Sequence, residues 1–227
     1  GRPVRMLYDR AEDMTATTKR HPSRVTHRTA LDPDGRILAM EIDVLLDGGA
    51  YITLSPVVLS RALLHAAGPY RCDHLRITGR VAKTNTPPNG AFRGFGVPQV
   101  AFALERHLDH VAGQIGIDPV ELRRRNLLAD GGTTATGQSV ADAGASREAL
   151  DAVLARSQWA ATKQAHRAWN RKNATKRRGL GLACYFHGTG FTGSGEIRLA
   201  SVAAVELLKG GYVRVRTSST EMGRSTG

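Results

Sequence analysis

A glycine- and proline-rich stretch at residues 84–99 lies near the middle of this chain and runs directly into a long amphipathic segment. It reads Thr-Asn-Thr-Pro-Pro-Asn-Gly-Ala-Phe-Arg-Gly-Phe-Gly-Val-Pro-Gln. The adjacent prolines at 87 and 88 exclude a regular helix there, because proline lacks the amide hydrogen and fixes φ. The glycines at 90, 94 and 96 allow positive φ angles or a close approach of the backbone to another group. The stretch therefore predicts a tight loop that ends where a helix begins.

The segment after this loop has the apolar period of a helix. Its apolar residues recur at three- and four-residue spacing, which predicts about five turns with one buried face: Val97, Ala101, Leu104, Leu108, Val111 and Ile115. His107 and His110 fall on or near the polar side, so we expect them to be exposed to solvent rather than to ligate a metal.

The start of this helix suggests a binding function for the loop. Free amide groups and the positive end of the helix dipole point back at the loop. With Arg93 as a forked donor, this arrangement indicates a site for an anionic ligand. The alternative is a plain turn whose two Phe side chains are core.

The flanking segments predict an α+β fold, with mixed sheets and helices packed on one side. Residues 24–46 alternate apolar and polar side chains about the turn Asp32-Pro33-Asp34-Gly35, which predicts a hairpin. Further strands are expected at residues 3–7, 75–83 and 179–186. A second hairpin is expected around residues 209–211.

The composition is that of a globular protein, with 41% hydrophobic and 23% charged residues in 227. No apolar run is long enough to span a bilayer, so no membrane association is expected. Cys72 and Cys184 form neither a disulfide framework nor a metal-binding spacing, which fits a cytoplasmic protein. The formal net charge is +12, and residues 156–178 contain eight basic residues and no acidic one. This run makes a nucleic-acid-binding module the alternative from another functional class.

A connection rich in Gly, Thr and Ser at residues 130–145 suggests a boundary. We expect a first domain at residues 1–145, a basic helical connection at 146–178 and the start of a second domain at 179–227.

Residues 85–99 resemble the Ala-Phe-Arg-Gly-Phe-Gly loop of the molybdenum hydroxylases, the family of xanthine dehydrogenase and aldehyde oxidase. Other blocks resemble the molybdopterin-binding subunit of that family in the same order: residues 1–5, 19–22, 47–51, 60–65 and 220–223. The family's subunit is several times longer, and its general-base glutamate falls outside residues 1–227. The resemblance therefore implies an internal fragment of an oxidoreductase that is inactive by itself.

The resemblance also implies which residues contact the cofactor. In this family the metal takes its sulfur ligands from the pterin, so no metal-ligating side chain is expected. The matched cofactor-binding positions lie in two loops: Phe92, Arg93, Gly94, Met222, Gly223 and Arg224. Arg224 departs from the family pattern, which has a glutamine at that position.

The expected substrate residues are Arg61, Phe95 and Ala183. Arg61 matches the catalytic arginine of purine-oxidising members, and Phe95 matches an aromatic ring that packs against the substrate. Ala183 stands where purine oxidisers have a polar residue. From the residues alone, Arg61 could equally lie at a helix edge with its guanidinium in water. The implied reaction is hydroxylation of a C–H carbon of an N-heterocycle such as a purine, with water as the oxygen source. An aldehyde or an aromatic acyl thioester is the alternative substrate.

The implied partners follow from the same resemblance. The molybdopterin carries molybdenum, either alone or as its cytosine dinucleotide. FAD and 2Fe–2S clusters lie on partner subunits or domains, and the complete enzyme is expected to be an oligomer.

Overall fold

A computed structural model describes residues 1–142, 144–188 and 202–217. The chain forms two compact units, residues 1–186 and residues 187–227. None of the helices in the described ranges is both long and apolar enough to cross a membrane.

The first unit is built on a mixed three-stranded sheet. The strands β1 (Ser23–Leu31), β2 (Ile37–Gly49) and β3 (His74–Lys83) lie in that order across the sheet. β1 and β2 are antiparallel, and β2 and β3 are parallel. The crossover between the parallel strands contains helix α2 (Ser55–His65). The predicted hairpin, the strand near residues 75–83 and the α+β class are confirmed.

The remaining helices follow the sequence signals closely. Helix α1 (Arg10–Ala16) begins with a capping box in which Asp9 accepts from the Glu12 amide. Helix α3 (Val97–Ile115) has the predicted length and ends at Gly116. Asp118 caps helix α4 (Pro119–Asn126). Two further helices, α5 (Gly144–Arg156) and α6 (Trp159–Arg171), pack against each other.

The core lies between β2 and the helices α2 and α3. Its sheet side is formed by alternate residues of β2, which are fully or almost fully buried: Met40, Ile42, Val44 and Leu46. The alternation breaks at the start of the strand, where Ile37 is 7% exposed and Leu38 is 48% exposed. The cause is a bulge, because Ala30 pairs with Ala39 while Leu31 pairs with Ile37. The unpaired Leu38 shifts the residues before it to the opposite face.

Two expected strands are not formed. Residues 3–7 and 179–186 lie within the described ranges but belong to no strand. Residues 1–10 are exposed throughout, whereas residues 181–186 alternate between exposed and half-buried positions. An apolar or alternating segment becomes a strand only where another strand completes its hydrogen bonds. Residues 179–186 thus show the alternation of a strand without belonging to a sheet.

Two histidines stack between β1 and α3. The rings of His27 and His107 are 5.0 Å apart at 17°, and His107 Nε2 is hydrogen-bonded to Thr29 Oγ1 at 2.8 Å. Both ring nitrogens of His27 are buried without a hydrogen-bond partner among the described residues. Burial, reinforced by His107, lowers the pKa of His27 from 6.5 to about 4. Burial also lowers the pKa of His107. The expectation that His107 is solvent-exposed is wrong, because its ring packs against β1.

We expect this stack to make stability depend on pH. The pKa of His27 is lower in the folded protein than in the unfolded chain. The neutral His27 ring therefore contributes its full stabilisation above pH 6.5, and this contribution is lost as the pH falls towards 4. The loss should reach at most about 3 kcal/mol. Urea unfolding at several pH values should show a shallower pH dependence for His27→Phe than for the wild type. The exposed His110→Gln should behave as the wild type, and an unchanged pH slope in His27→Phe would contradict the assignment.

The second unit contains the predicted hairpin. Its strands β4 (Ala204–Leu207) and β5 (Val213–Arg216) are antiparallel, and the Leu208 amide donates to the Tyr212 carbonyl at 2.8 Å. Gly210 and Gly211 take positive φ angles in the turn. The apolar side chains of this hairpin are largely exposed, so it has no core of its own among the described residues.

Candidate cofactor and substrate site

The loop before α3, residues 90–96, has an unusual backbone. Gly94, Phe95 and Gly96 take φ angles of 92°, 50° and 96°. The turn is closed by hydrogen bonds from the Phe95 amide to the Phe92 carbonyl at 2.7 Å and from the Val97 amide to the Gly94 carbonyl at 3.1 Å. A left-handed conformation is rare for Phe and costs about 1–3 kcal/mol, so the surroundings must hold it in place. Such strain is concentrated at functional sites.

Helix α2 packs directly on this loop. A Cβ atom at Gly96 would lie 2.4 Å from the Val58 carbonyl oxygen and 3.1 Å from the Ala62 Cβ. Only glycine therefore permits this contact. Arg61 is the residue next to Ala62, and it is only 7% exposed. The possibility that its guanidinium lies in water at a helix edge is therefore excluded, because the side chain is buried.

The two Phe side chains of the loop have different surroundings. Phe95 is half-buried and packs against the core. Phe92 is 55% exposed, and Arg93 next to it is also exposed. The core interpretation of this loop thus holds in part for Phe95 and fails for Phe92.

The basic segment 19–21 supports the loop from the other side. The Gly90 amide donates to the Lys19 carbonyl at 2.9 Å. Arg20 Nη2 donates to the Arg93 carbonyl at 2.6 Å, and its guanidinium lies 4.7 Å from the centre of the Phe92 ring. In sequence this run has the appearance of a solvated basic face. No local signal reveals its contacts, because they join residues more than 70 positions apart.

His21 connects this segment to α2 and α3. Its Nε2 lies 2.7 Å from the Ser55 Oγ, in the first turn of α2, and its carbonyl accepts from Gln99 Nε2 at 3.4 Å. Both His21 and Ser55 are buried. Burial lowers the pKa of His21, so the neutral imidazole is favoured. The pair fixes the start of α2 relative to the start of α3.

Residues 47–49 hold the segment 84–89, which leads into the loop, in place. Asp47 accepts hydrogen bonds from Thr84 Oγ1 at 2.6 Å and from the Gly49 amide at 2.9 Å. The first of these is the main reason that the pKa of Asp47 lies below its usual value. A Cβ atom at Gly49 would meet the Pro87 carbonyl oxygen at 2.4 Å, so glycine is needed for this close approach.

A buried polar cluster anchors residues 182–186 across the helices. Its members converge on the carboxylate of Glu105 in α3. Arg123 Nε donates to this carboxylate at 2.8 Å, Tyr70 Oη at 2.6 Å and the Cys184 amide at 2.9 Å. Two residues further on, the Phe186 ring lies 5.4 Å from His65, one turn of α2 beyond Arg61. Sequence reasoning missed Phe186 and the whole cluster.

Of the other expected site residues, Ala183 lies within the described part of the chain. Ala183 is exposed and lines a groove with Pro69, Leu127 and Leu150, whereas Arg61 and Phe95 lie outside that groove. Met222, Gly223 and Arg224 lie outside the described residues. The structure thus places Arg61 on α2, the helix that packs against Gly96 of the loop that contains Phe92, Arg93, Gly94 and Phe95.

The donors at the loop fit an anionic group. The Phe95 and Val97 amides already donate within the turn and residue 98 is a proline, so the cationic donors at the loop are the side chains of Arg20 and Arg93. Arg20 Nη1 is buried without a hydrogen-bond partner among the described residues. Within the ranges 1–142, 144–188 and 202–217, no group of three His, Cys, Asp or Glu side chains is placed to hold a metal ion.

Comparisons with known proteins agree with a cofactor-binding role for this region. Residues 1–127 and residues 152–226 each match a family model described as a molybdopterin cofactor-binding domain. A probable xanthine dehydrogenase subunit of Bacillus subtilis is 47% identical over 127 residues, which are 56% of this chain and 17% of that protein. The xanthine dehydrogenase/oxidase of Mus musculus is 36% identical over 224 residues, 99% of this chain and 17% of that protein.

Solved structures give the same family. The quinoline 2-oxidoreductase of Pseudomonas putida matches 96% of this chain and 29% of that chain, with a TM-score of 0.79 and 26% identity. The aldehyde oxidoreductase of Desulfovibrio gigas matches 74% of this chain and 18% of that chain, with a TM-score of 0.62 and 32% identity. The chain thus spans less than a third of the length of each of these proteins. It belongs to the molybdopterin cofactor-binding family of the molybdenum hydroxylases.

Proposed function

We propose that this chain forms part of the molybdopterin-binding region of an enzyme that hydroxylates a C–H carbon of an N-heterocycle such as a purine, with water as the oxygen source. The observation that carries the proposal is the burial of Arg61 on α2, where Gly96 lets that helix pack against the loop of Phe95. A buried cation on a helix that packs against this aromatic-bearing loop suits a flat heterocycle that gains negative charge. Relatives named for xanthine and quinoline support this substrate class.

The residues of the chain have distinct roles in this proposal. When bound, the cofactor supplies the oxygen insertion and accepts the electrons. Arg61 stabilises negative charge that develops on the heterocycle, and burial strengthens this effect because water does not screen it. Phe95 aligns the plane of the ring on a rigid loop. Phe92, Arg93 and Gly94 contact the cofactor, and the segment of Met222, Gly223 and Arg224 supplies a second contact. Ala183 remains a proposed substrate residue, and it lines a groove with Pro69, Leu127 and Leu150.

The remaining parts of the enzyme are also proposals. We expect FAD and 2Fe–2S clusters on partner subunits or domains that carry electrons away, and an oligomeric enzyme in the cytoplasm. The free cysteines Cys72 and Cys184 are compatible with a reducing compartment. Residues 1–227 alone should show no turnover, because the resemblance places the general base outside this chain.

An aldehyde is the second candidate substrate, and the similarity to the Desulfovibrio gigas aldehyde oxidoreductase favours it. The nucleic-acid alternative has less support, because several cations of the basic segment contact the protein itself. Lys163 pairs with Asp118 at 2.9 Å, and the Arg178 guanidinium lies 4.4 Å from the centre of the Trp169 ring.

Arg61→Ala in the full-length enzyme tests the substrate proposal. We expect kcat/KM for a purine or related heterocycle to fall by about 100-fold or more, with molybdenum content unchanged. Substrate-dependent dye reduction and metal analysis measure both quantities. Arg80→Ala serves as a control, because Arg80 is exposed and pairs with Asp43 at 3.4 Å on the sheet. Aldehyde oxidation that is unaffected by Arg61→Ala, with no heterocycle oxidised, would exclude the heterocycle proposal but keep the family.

A further inference from the structure

We propose that Arg20 is a positioning residue of the cofactor loop, residues 90–96, and that its charge helps to retain an anionic group of the cofactor there. The proposal rests on the proposed function, because it takes this loop to be the cofactor site. In the sequence, Arg20 belongs to a basic run with the appearance of a solvated surface.

The first part of the proposal comes from two contacts made by one guanidinium. Arg20 Nη2 donates to the carbonyl of Arg93 at 2.6 Å, and the guanidinium carbon lies 4.7 Å from the centre of the Phe92 ring. The first contact fixes the backbone, and the second fixes a neighbouring side chain. These residues directly precede three left-handed residues, which need outside contacts to stay in that conformation. Arg20 therefore sets the shape of the loop.

The second part comes from the charge of Arg20. Its Nη1 is buried without a hydrogen-bond partner in the described part of the chain, and no described carboxylate forms an ion pair with it. Burial alone shifts the pKa of Arg20 downwards, with no described acid to offset the shift. Arg20 is only half-buried as a residue, but a buried donor atom is normally hydrogen-bonded, so the unpartnered Nη1 is consistent with an acceptor or negative group that acts at this loop. Lys19, by contrast, lies 3.6 Å from the Asp13 carboxylate.

The position of this charge connects it with the loop. A Cβ atom at Gly94 would lie 3.9 Å from Arg20 Nη1. The charge therefore lies within van der Waals distance of the position that a Gly94 Cβ atom would take in the proposed cofactor loop. Because Nη1 is buried, an anionic group bound at the loop would interact with it partly through protein, and this attraction is stronger than one through water. Arg20 does not need to touch the anionic group directly, which is consistent with the burial of its Nη1 atom.

Three variants of the full-length enzyme separate charge from shape. Arg20→Lys keeps the charge but loses the planar fork, and Arg20→Gln keeps a hydrogen-bond donor but loses the charge. Arg24→Gln is the matched control, because Arg24 lies close by in the chain and is exposed. Molybdenum and pterin per protomer after dialysis report retention of the cofactor. Hydrogen exchange at the amides of residues 90–97 reports loop shape, and the melting temperature reports stability.

We expect Arg20→Gln to lower cofactor retention about tenfold, and Arg20→Lys to restore most of it. Both variants should exchange the loop amides several-fold faster than the wild type, while Arg24→Gln matches the wild type throughout. Should Arg20→Gln fail to fold, Arg20→Lys still tests both parts, since it should combine near-normal retention with faster exchange.

Other results would overturn the inference. Normal retention in Arg20→Gln would remove the role of the charge, and so would equal losses in Arg20→Lys and Arg20→Gln that follow their melting temperatures. Unchanged exchange in both variants would remove the positioning role. If the wild-type enzyme itself holds no molybdenum or pterin, the proposed function fails instead, whatever the variants show.

Discussion

Replacing Glu105 with glutamine is expected to destabilise the protein by about 3–5 kcal/mol. Glu105 is buried and its carboxylate accepts from Arg123, Tyr70 and Cys184. An amide has one acceptor oxygen, so at least one of these donors would meet the NH₂ group instead. Arg123 is 0% exposed and would keep its ion pair with Asp109 at 2.9 Å, but the Asp109 side chain is 38% exposed and so compensates a buried charge less than Glu105 does. Leaving a buried cation without its main partner is among the most costly single changes in a protein.

The matched control for this variant is Glu121→Gln. Glu121 also pairs with an arginine, Arg125, at 2.7 Å, but the side chains are 44% and 38% exposed. Exposed pairs of this kind contribute about 1 kcal/mol or less. Urea unfolding of both variants measures the difference. Equal stability losses would show that the Glu105 cluster is not the anchor inferred from its geometry. We also expect faster hydrogen exchange at Cys184, because its amide loses a carboxylate acceptor.

The second large effect is expected for Gly96→Ala, at about 3 kcal/mol or more. The φ angle of 96° is strained for any residue with a Cβ atom, which contributes about 1–3 kcal/mol. The new Cβ atom would also lie 2.4 Å from the Val58 carbonyl oxygen, so α2 would have to move. Overpacking of this kind adds about 1–3 kcal/mol. Because α2 carries Arg61, we expect turnover in the full-length enzyme to fall beyond what the loss of stability explains.

The control variant Gly116→Ala introduces the backbone strain of a positive φ angle without the steric contact that Gly96→Ala creates. Gly116 caps α3 at a φ angle of 72°, and a Cβ atom there would meet nothing within 4 Å among the described residues. Only the backbone strain remains, at about 1–2 kcal/mol. Thermal unfolding and steady-state kinetics of the two variants provide the comparison. If Gly96→Ala costs no more than Gly116→Ala, α2 does not depend on this glycine for its position beside the loop.

Local sequence patterns predict most elements of the first unit. The period of residues 97–115 predicts α3, and the alternation of residues 24–46 predicts the β1–β2 hairpin. The strand expected at residues 75–83 is β3. These signals are local, because helix and strand periods repeat over neighbouring residues. The errors at residues 3–7 and 179–186 arise because a strand needs a partner that its own sequence does not specify.

The candidate site is predictable in part. The glycine loop, with Phe92, Arg93, Gly94 and Phe95, is identified from its residues, and Arg61 from its family resemblance. The residues that hold this site in place cannot be predicted from the sequence. Arg20 and His21 lie in a block that resembles the family, but no local pattern assigns their contacts, Ser55 has no distinctive pattern, and the Glu105 cluster joins residues up to 79 positions apart.

The sequence by itself therefore determined helix α3, the helical connection, the hairpins, the glycine loop and the resemblance to the molybdenum hydroxylases, because each of these depends on neighbouring residues or on ordered blocks. Only the tertiary structure decided that Arg61 is buried, that Arg20 supports the loop without an acidic partner among the described residues, and that Ala183 lies in another groove. Burial and ion pairing depend on which distant segments pack together. Packing of α2 on Gly96 is the contact that places Arg61 beside the loop, and no local pattern encodes it.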